Sequence, residues 1–286
     1  MHELIATDRL PAADLHQGFS EAFADYLAGP FELSLAQWPA FLARQGVDLS
    51  LGRALLDAAG RVQAFALVAP RPALARWRLA TMGARPEARG QGGPQHLLQD
   101  LLQRAAAAGQ QALELEVFAQ NLRALRLYQG RGFEIRQGLY GHRLDAGTAS
   151  AEGEAATGTI EAVTPDQAAH WLQQSEQRIA DLPLQVGATA LAADNRVPGL
   201  QAWRRGTAQL VFVATPGTGL VLRSLVDHQP GLADARALVQ AVLAAHRGQP
   251  VQVPALQRDD LGGAVLAGLG FQRQALHQWL MLRRLP

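Results

Sequence analysis

Two stretches of the chain hold residue types whose spacing suits chemistry. The first is Arg89-Gly90-Gln91-Gly92-Gly93-Pro94, which follows a strand-like run from Trp77 to Met82 and a polar loop with Pro86. Leu97, Leu98, Leu101, Leu102 and Ala105 then recur at helical spacing. Strand, glycine-rich loop and helix start together make an anion site, because the first amides of a helix have no partner within it and its dipole favours negative charge there. Glycine lets the backbone come close to a phosphate and take positive φ. Arg89 adds a fixed positive charge. The expectation for Arg89, Gly90, Gln91, Gly92 and Gly93 is a phosphate or pyrophosphate cradle. A Walker-type loop is excluded, since the chain has no Lys and all 26 basic residues are Arg. A dinucleotide fingerprint fits poorly, since Gly83 to Ala88 separate strand from glycines and Gln95 stands where its third Gly would fall.

The second stretch is Asn121-Leu122-Arg123-Ala124-Leu125-Arg126-Leu127-Tyr128, with Gly132-Phe133 after it. Ala124, Leu127 and Tyr128 share a helical face. Between the two stretches, Ala112 to Phe118 alternates, with Leu113, Leu115 and Val117 on one side and Glu114 and Glu116 on the other.

These stretches resemble motifs A and B of the GNAT superfamily of N-acetyltransferases: Arg/Gln-x-x-Gly-x-Gly/Ala after a strand, then N-x-x-A-x-x-L-Y-x-x-x-G-F. Pro94 stands at the final Gly/Ala position of motif A; proline suits a first helical turn but has no N–H to donate. The resemblance covers about residues 1–146. It implies direct acetyl transfer from acetyl-CoA to an amine, with the loop gripping the pyrophosphate; no metal is expected, because the scattered histidines give no paired metal-ligand spacing. Backbone at Met82 and Ala84 would serve the pantetheine arm and the thioester carbonyl. Tyr128 would be the general acid for the departing sulfur, and Asn121 would bind CoA or cap its helix. Glu116 is the candidate general base, with Glu114 as its rival; both lie on the strand beside the proposed acetyl site, where an ion-paired or solvated strand face is the plainer reading. Asp25, Tyr26, Glu32, Tyr140 and His142 lie where the family builds its acceptor pocket. A non-catalytic acyl-CoA-binding sensor or scaffold is the rival function.

The elements that must position these groups follow from periodicity. Residues 3–7 suggest a strand and Pro11 to Leu27 a helix. A second helix is expected through Phe41 and Leu42, with Ser34 and Gln37 as a capping box and Pro39 either kinking it or shifting its start. Strands are expected at Arg53–Ala58, Arg61–Ala69, Trp77–Met82 and Ala112–Phe118, and helices at Gly93–Ala108 and 121–130. Phe133–Arg136 and Leu139–Leu144 are expected to close the unit. The fold class is α+β: two tandem GNAT-like domains, each a mixed, largely antiparallel twisted sheet flanked by helices.

The expected division is a catalytic domain over 1–146, a linker over 147–157 poor in large apolar groups, and a degenerate domain over 158–286. The last part repeats the plan: two strands across Pro216-Gly217, a helix from Leu232 to Leu243, a strand at Val251–Val253, a helix near Leu261–Ala267 and a final strand. The Gly-Phe pairs at 132 and 270 set the offset, 270 − 132 = 138. At that offset Leu266 replaces Tyr128, Asp259 replaces Asn121, and Asp227-His228-Gln229-Pro230-Gly231 lacks both the Arg and the glycines of a pyrophosphate loop.

Composition bounds the partners. The 286 residues suffice for two domains. With 26 basic and 25 acidic residues, net charge +1 gives no bulk attraction to nucleic acid or an anionic membrane. The absence of Cys removes disulfides, thiolate metal sites and a Cys nucleophile, and the absence of Lys removes Schiff-base chemistry. No apolar run is long enough for a bilayer and the first residues do not resemble a signal peptide, so the cytoplasm is expected, and the lack of Lys with abundant Arg and Ala suggests a GC-rich bacterial genome. Its expected partners are acetyl-CoA and an amine acceptor, with a homodimer left open.

Overall fold

The computed structural model describes residues 3–147, 159–215 and 217–286. In chain order the first half contains β1 (Glu3–Ala6), α1 (Ala12–Ala22), α2 (Trp38–Arg44), β2 (Asp48–Leu56), β3 (Val62–Arg71), β4 (Arg76–Ala84), α3 (Gly93–Ala107), β5 (Ala112–Phe118), α4 (Leu122–Gln129) and β6 (Glu134–Leu144). The second half contains β7 (Glu161–Val163), α5 (Pro165–Arg178), α6 (Ala188–Asp194), β8 (Leu200–Arg205), β9 (Ala208–Thr215), β10 (Gly219–Asp227), α7 (Ala233–Ala245), β11 (Val251–Gln257), α8 (Gly263–Ala267) and β12 (Gln272–Arg284). Both halves read βααβββαβαβ, so the repeat seen in the Gly-Phe pairs is a repeat of topology.

The chain forms two compact units, Met1–Arg136 with Leu280–Pro286, and Gln137–Trp279. In the first, β1-β2-β3-β4-β5 lie side by side, antiparallel up to β4 and parallel between β4 and β5. In the second, β7-β8-β9-β10-β11 repeat those senses, with β10 and β11 parallel.

The closing strand differs from expectation. Residues 134–144 form one strand, not two, and it pairs antiparallel with β11, Leu144 opposite Val251. Leu144 is therefore part of the second unit's core, with Phe212, Leu238 and Phe271. The first unit instead takes the end of β12, where the Leu285 amide donates to the Gln111 carbonyl at 2.9 Å. The boundary at 146 is replaced by this exchange of closing strands. Its physical reason is the repeat: each half ends in Gly-Phe followed by an extended segment, so either segment fits either edge. The expected linker, 147–157, lies outside the described residues apart from Gly147.

The cores form where the apolar stripes meet the sheets. In the first unit Leu15, Phe19 and Ala22 of α1 and Trp38 and Leu42 of α2 pack on Leu56, Val62, Phe65 and Leu67. On α3 the stripe Leu97, Leu98, Leu101, Leu102 and Ala105 is fully buried, as its spacing required. Helix α2 starts at Trp38, with Pro39 in its first turn where the missing N–H costs nothing. That puts Gln37 at the N-cap, so its side chain answers Ser34 from outside the helix and the capping box does not form there.

Candidate functional site

The β4–β5 ladder runs from Arg76↔Ala112 to Leu79↔Leu115 and stops, although β4 continues to Ala84 and β5 to Phe118. Beyond that point β4 stays paired only with β3, Met82 opposite Ala66 and Ala84 opposite Ala64. A cavity of about 470 Å³ lies in the first unit at this opening. It is lined by Met82, Gly83 and Ala84 of β4, by Ala22, Phe23, Asp25, Tyr26 and Leu27 after α1, by Arg89, Pro94 and Gln95, and by residues 120–124 with Leu127 and Tyr128. The structure thus brings Met82, Ala84, Arg89, Asn121 and Tyr128 together.

Gly90, Gln91, Gly92 and Gly93 shape the loop beside the cavity without lining it. Gly90 and Gly92 hold φ of +83° and +84°, which an L side chain rarely adopts. Gly92 is the N-cap of α3 and has no side chain to cap with. The amides of Gly93 and Gln95 start the helix, and Pro94 between them contributes none.

Arg89 is held by three groups. Its Nε donates to the Ala84 carbonyl at 3.3 Å, one Nη to the Ala22 carbonyl at 3.1 Å, and both terminal nitrogens to Asp25 at 2.6 Å. The hydrogen bond from Arg89 holds the Asp25 carboxyl below the usual range, and Asp25 in turn raises Arg89. A second cation was not singled out from sequence: the tip of Arg123 lies 3.8 Å from where a Cβ on Gly90 would stand, and Arg123 lines the cavity. Its signal was available, since it is the second residue of a helix whose N-cap also faces the site.

Asn121 both lines the cavity and caps α4, its side chain accepting from the Ala124 amide at 3.2 Å. Tyr128 is 7% exposed and packs on Phe133. Burial first, and Tyr26 second, push its phenol above the ordinary value of 10.0, so it keeps its proton at neutral pH.

Glu116 is not brought to the cavity. Its carboxylate accepts from Arg78 Nε at 2.7 Å and Nη2 at 2.6 Å, with both side chains buried. Glu114 is likewise buried against Arg71 at 2.5 Å and Arg76 at 3.3 Å. The charged face of β5 is an ion-paired layer: Glu114 is held by two arginines and Glu116 by Arg78 through Oε2, which leaves the buried Oε1 of Glu116 without a hydrogen-bond partner. Tyr140 and His142 belong to the second unit through β6. His142 is 1% exposed, and desolvation lowers its pKa.

In the second unit the start of the corresponding helix is met by a carboxylate of the chain itself. Asp227 accepts from the Ala235 amide at 3.0 Å, the Gln229 amide at 2.9 Å and the Thr207 hydroxyl at 2.7 Å. The start of α7 is thereby capped by an internal carboxylate. Asp259, at the Asn121 position, pairs with Arg273.

Comparison with known proteins agrees with this geometry. The Acetyltransferase (GNAT) family model matches residues 12–133. The chain is similar in fold to a GCN5-related N-acetyltransferase from Sphaerobacter thermophilus, at 14% identity and TM-score 0.65 over 99% of this chain and 95% of that one. A GCN5-related N-acetyltransferase from Anabaena variabilis gives 16% identity and TM-score 0.68, over 99% and 72%. A tandem GNAT protein from the clavulanic acid biosynthesis pathway gives 18% identity and TM-score 0.61, over 99% and 98%. No curated protein matches the chain by sequence. Among the described residues no helix is long and apolar enough to cross a membrane.

Proposed function

We propose that this chain, whose residues 12–133 match the Acetyltransferase (GNAT) family model, is an acetyl-CoA-dependent N-acetyltransferase acting on an amine, followed by a degenerate repeat of the same plan. The observation that carries the reading is one cavity that joins the uncapped start of α3, the Arg89 loop, the open end of β4 and the phenol of Tyr128. The residues fit the donor. Arg89, Arg123 and the first amides of α3 supply positive potential for a diphosphate. The unpaired end of β4 at Met82 and Ala84 offers backbone groups to an extended arm. Acetyl-CoA supplies the activated acyl carbon, and coenzyme A leaves with the sulfur. Tyr128 holds its proton where charge on that sulfur needs a donor. The apolar wall of Phe23, Leu127 and Ala124 excludes water from the reacting groups.

One observation favours a non-catalytic acyl-CoA-binding module: the lone carboxylate among the described lining residues, Asp25, is tied to Arg89, and no free base faces the cavity. Thiol release from acetyl-CoA over a panel of primary amines separates the two. Amine-dependent release above the hydrolytic background supports transfer; CoA binding with no release on any amine supports the module.

A further inference from the structure

Arg89 cannot be both where it is and in a phosphate cradle without giving something up. Two of its contacts, to the Ala22 and Ala84 carbonyls, anchor the side chain. The outward fork, Nη1 and Nη2, is filled by the two oxygens of Asp25 at 2.6 Å each. A carboxylate and a phosphate take that fork in the same bidentate way. Asp25 therefore occupies the place on Arg89 that a diphosphate oxygen pair would use. It lies in the loop after α1 and is largely exposed, so it can leave without unfolding anything.

What Asp25 would face once released is also set by the cavity. The other charges lining it are Arg89 and Arg123, both of which an anionic donor would neutralise. The same cavity is lined by Phe23, Tyr26, Leu27 and Leu122. Leu27 and Leu122 are 37% and 59% exposed, an apolar rim with nothing covering it. A single carboxylate in a cavity that also carries two aromatic rings and an aliphatic rim fits an organic ammonium with an apolar body. It disfavours an acceptor that carries its own carboxylate next to the nitrogen, which Asp25 would repel.

We infer that Asp25 is the acceptor-recognition residue of this site: Arg89 holds it in reserve, the diphosphate of coenzyme A takes Arg89 over, and the freed carboxylate receives a primary ammonium with an apolar body. The inference rests on the acetyl-transfer reading for the identity of the two ligands. Its competitor is a static bridge that pins the end of α1 to the loop before α3.

The two differ in sign. If the carboxylate competes with the diphosphate, Asp25→Asn binds CoA more tightly than the wild type, by about two- to fivefold, the range of an exposed ion pair. If the bridge is static and preorganises Arg89, the same variant binds CoA equally or more weakly. The second arm uses phenethylamine, titrated by calorimetry into full-length protein saturated with CoA. Asp25→Asn should bind it about fivefold or more weakly, Asp25→Glu close to wild type, and the neutral phenethyl alcohol should not distinguish the three. Unchanged or weakened CoA binding by Asp25→Asn overturns the exchange, and equal phenethylamine affinities overturn the recognition role. The site's function fails separately: both affinity changes without thiol release on any amine leave the exchange standing and remove transfer, whereas thiol release with neither affinity moved does the reverse.

Discussion

The starts of α3 and α7 are the same place in the two halves, and they have opposite electrostatics. Both follow the strand that pairs in parallel with its neighbour, and both open a helix with a buried apolar stripe. At α3 the N-cap is Gly92, with no side chain on the first amides and Arg89 beside them. At α7 the carboxylate of Asp227 accepts from one of those amides, that of Ala235. Asp227 ends β10, whereas Arg89 lies in the loop after β4, so the two halves place opposite charges at different points between the parallel strand and its helix. A helix start attracts negative charge wherever it occurs. One half leaves that attraction for a ligand and the other satisfies it within the fold. The same difference recurs at Tyr128 and Leu266, both buried at the corresponding point of α4 and α8, where only one keeps a hydroxyl.

The comparison assigns different work to residues that look equally chemical, and removing them should separate scaffold from site. The largest effect is expected at Glu116. Glu116→Ala leaves Arg78 buried and uncompensated, which costs about 3–5 kcal/mol of stability. Thermal or urea unfolding measures it, and a full-stability variant with lost turnover would make Glu116 catalytic after all.

Tyr128→Phe is the next largest. The ring and its packing on Phe133 remain, so CoA affinity should stay near wild type. A positioned proton donor contributes about 10²–10⁴-fold, and a phenol held well above its ordinary pKa is a weak acid, so a loss of about 10²-fold in kcat is expected. Single-turnover rates remove any masking by slow product release. Wild-type rates would turn Tyr128 into a packing residue, like its counterpart Leu266.

Asp227→Ala should cost about 1–3 kcal/mol, because it uncaps α7 and strands buried donors. It should not change CoA affinity, since the cap belongs to the closed half. Tighter or additional CoA binding by this variant would mean that the carboxylate alone had kept a second site shut.

The smallest effect is in pH. Tyr128 is buried neutral with its pKa raised above 10.0, so its contribution to stability is intact below pH 10 and is lost as pH rises towards the folded value. Wild type should lose stability above pH 10 more steeply than Tyr128→Phe. His142, lowered by burial from 6.5, acts oppositely: its contribution is present above pH 6.5 and falls away below it.

How much of this was legible depended on whether the signal was local. The stripe on α3, the bounds of β5 and the helix carrying Tyr128 follow from spacing alone, and the structure reproduces them. The exchange of β6 and β12 was not legible, because Gly132-Phe133 and Gly270-Phe271 introduce interchangeable strands and pairing partners leave no mark in either. Alternation placed Glu114 and Glu116 on one face but could not say what covers it. Arg71, Arg76 and Arg78, close together in the preceding hairpin, were the clue. Helix α5 carried a readable start, Thr164-Pro165-Asp166-Gln167, and its capping box forms. The tie between Arg89 and Asp25 spans 64 residues, and no motif joins them.

The number of CoA molecules bound per chain tests the central claim most directly. Calorimetric titration of the full-length protein should give one site, weakened about tenfold or more by Arg89→Ala and untouched by Asp227→Ala. Two equivalent sites, or one that survives loss of Arg89 with full affinity, would contradict the reading of α3 as open and α7 as closed.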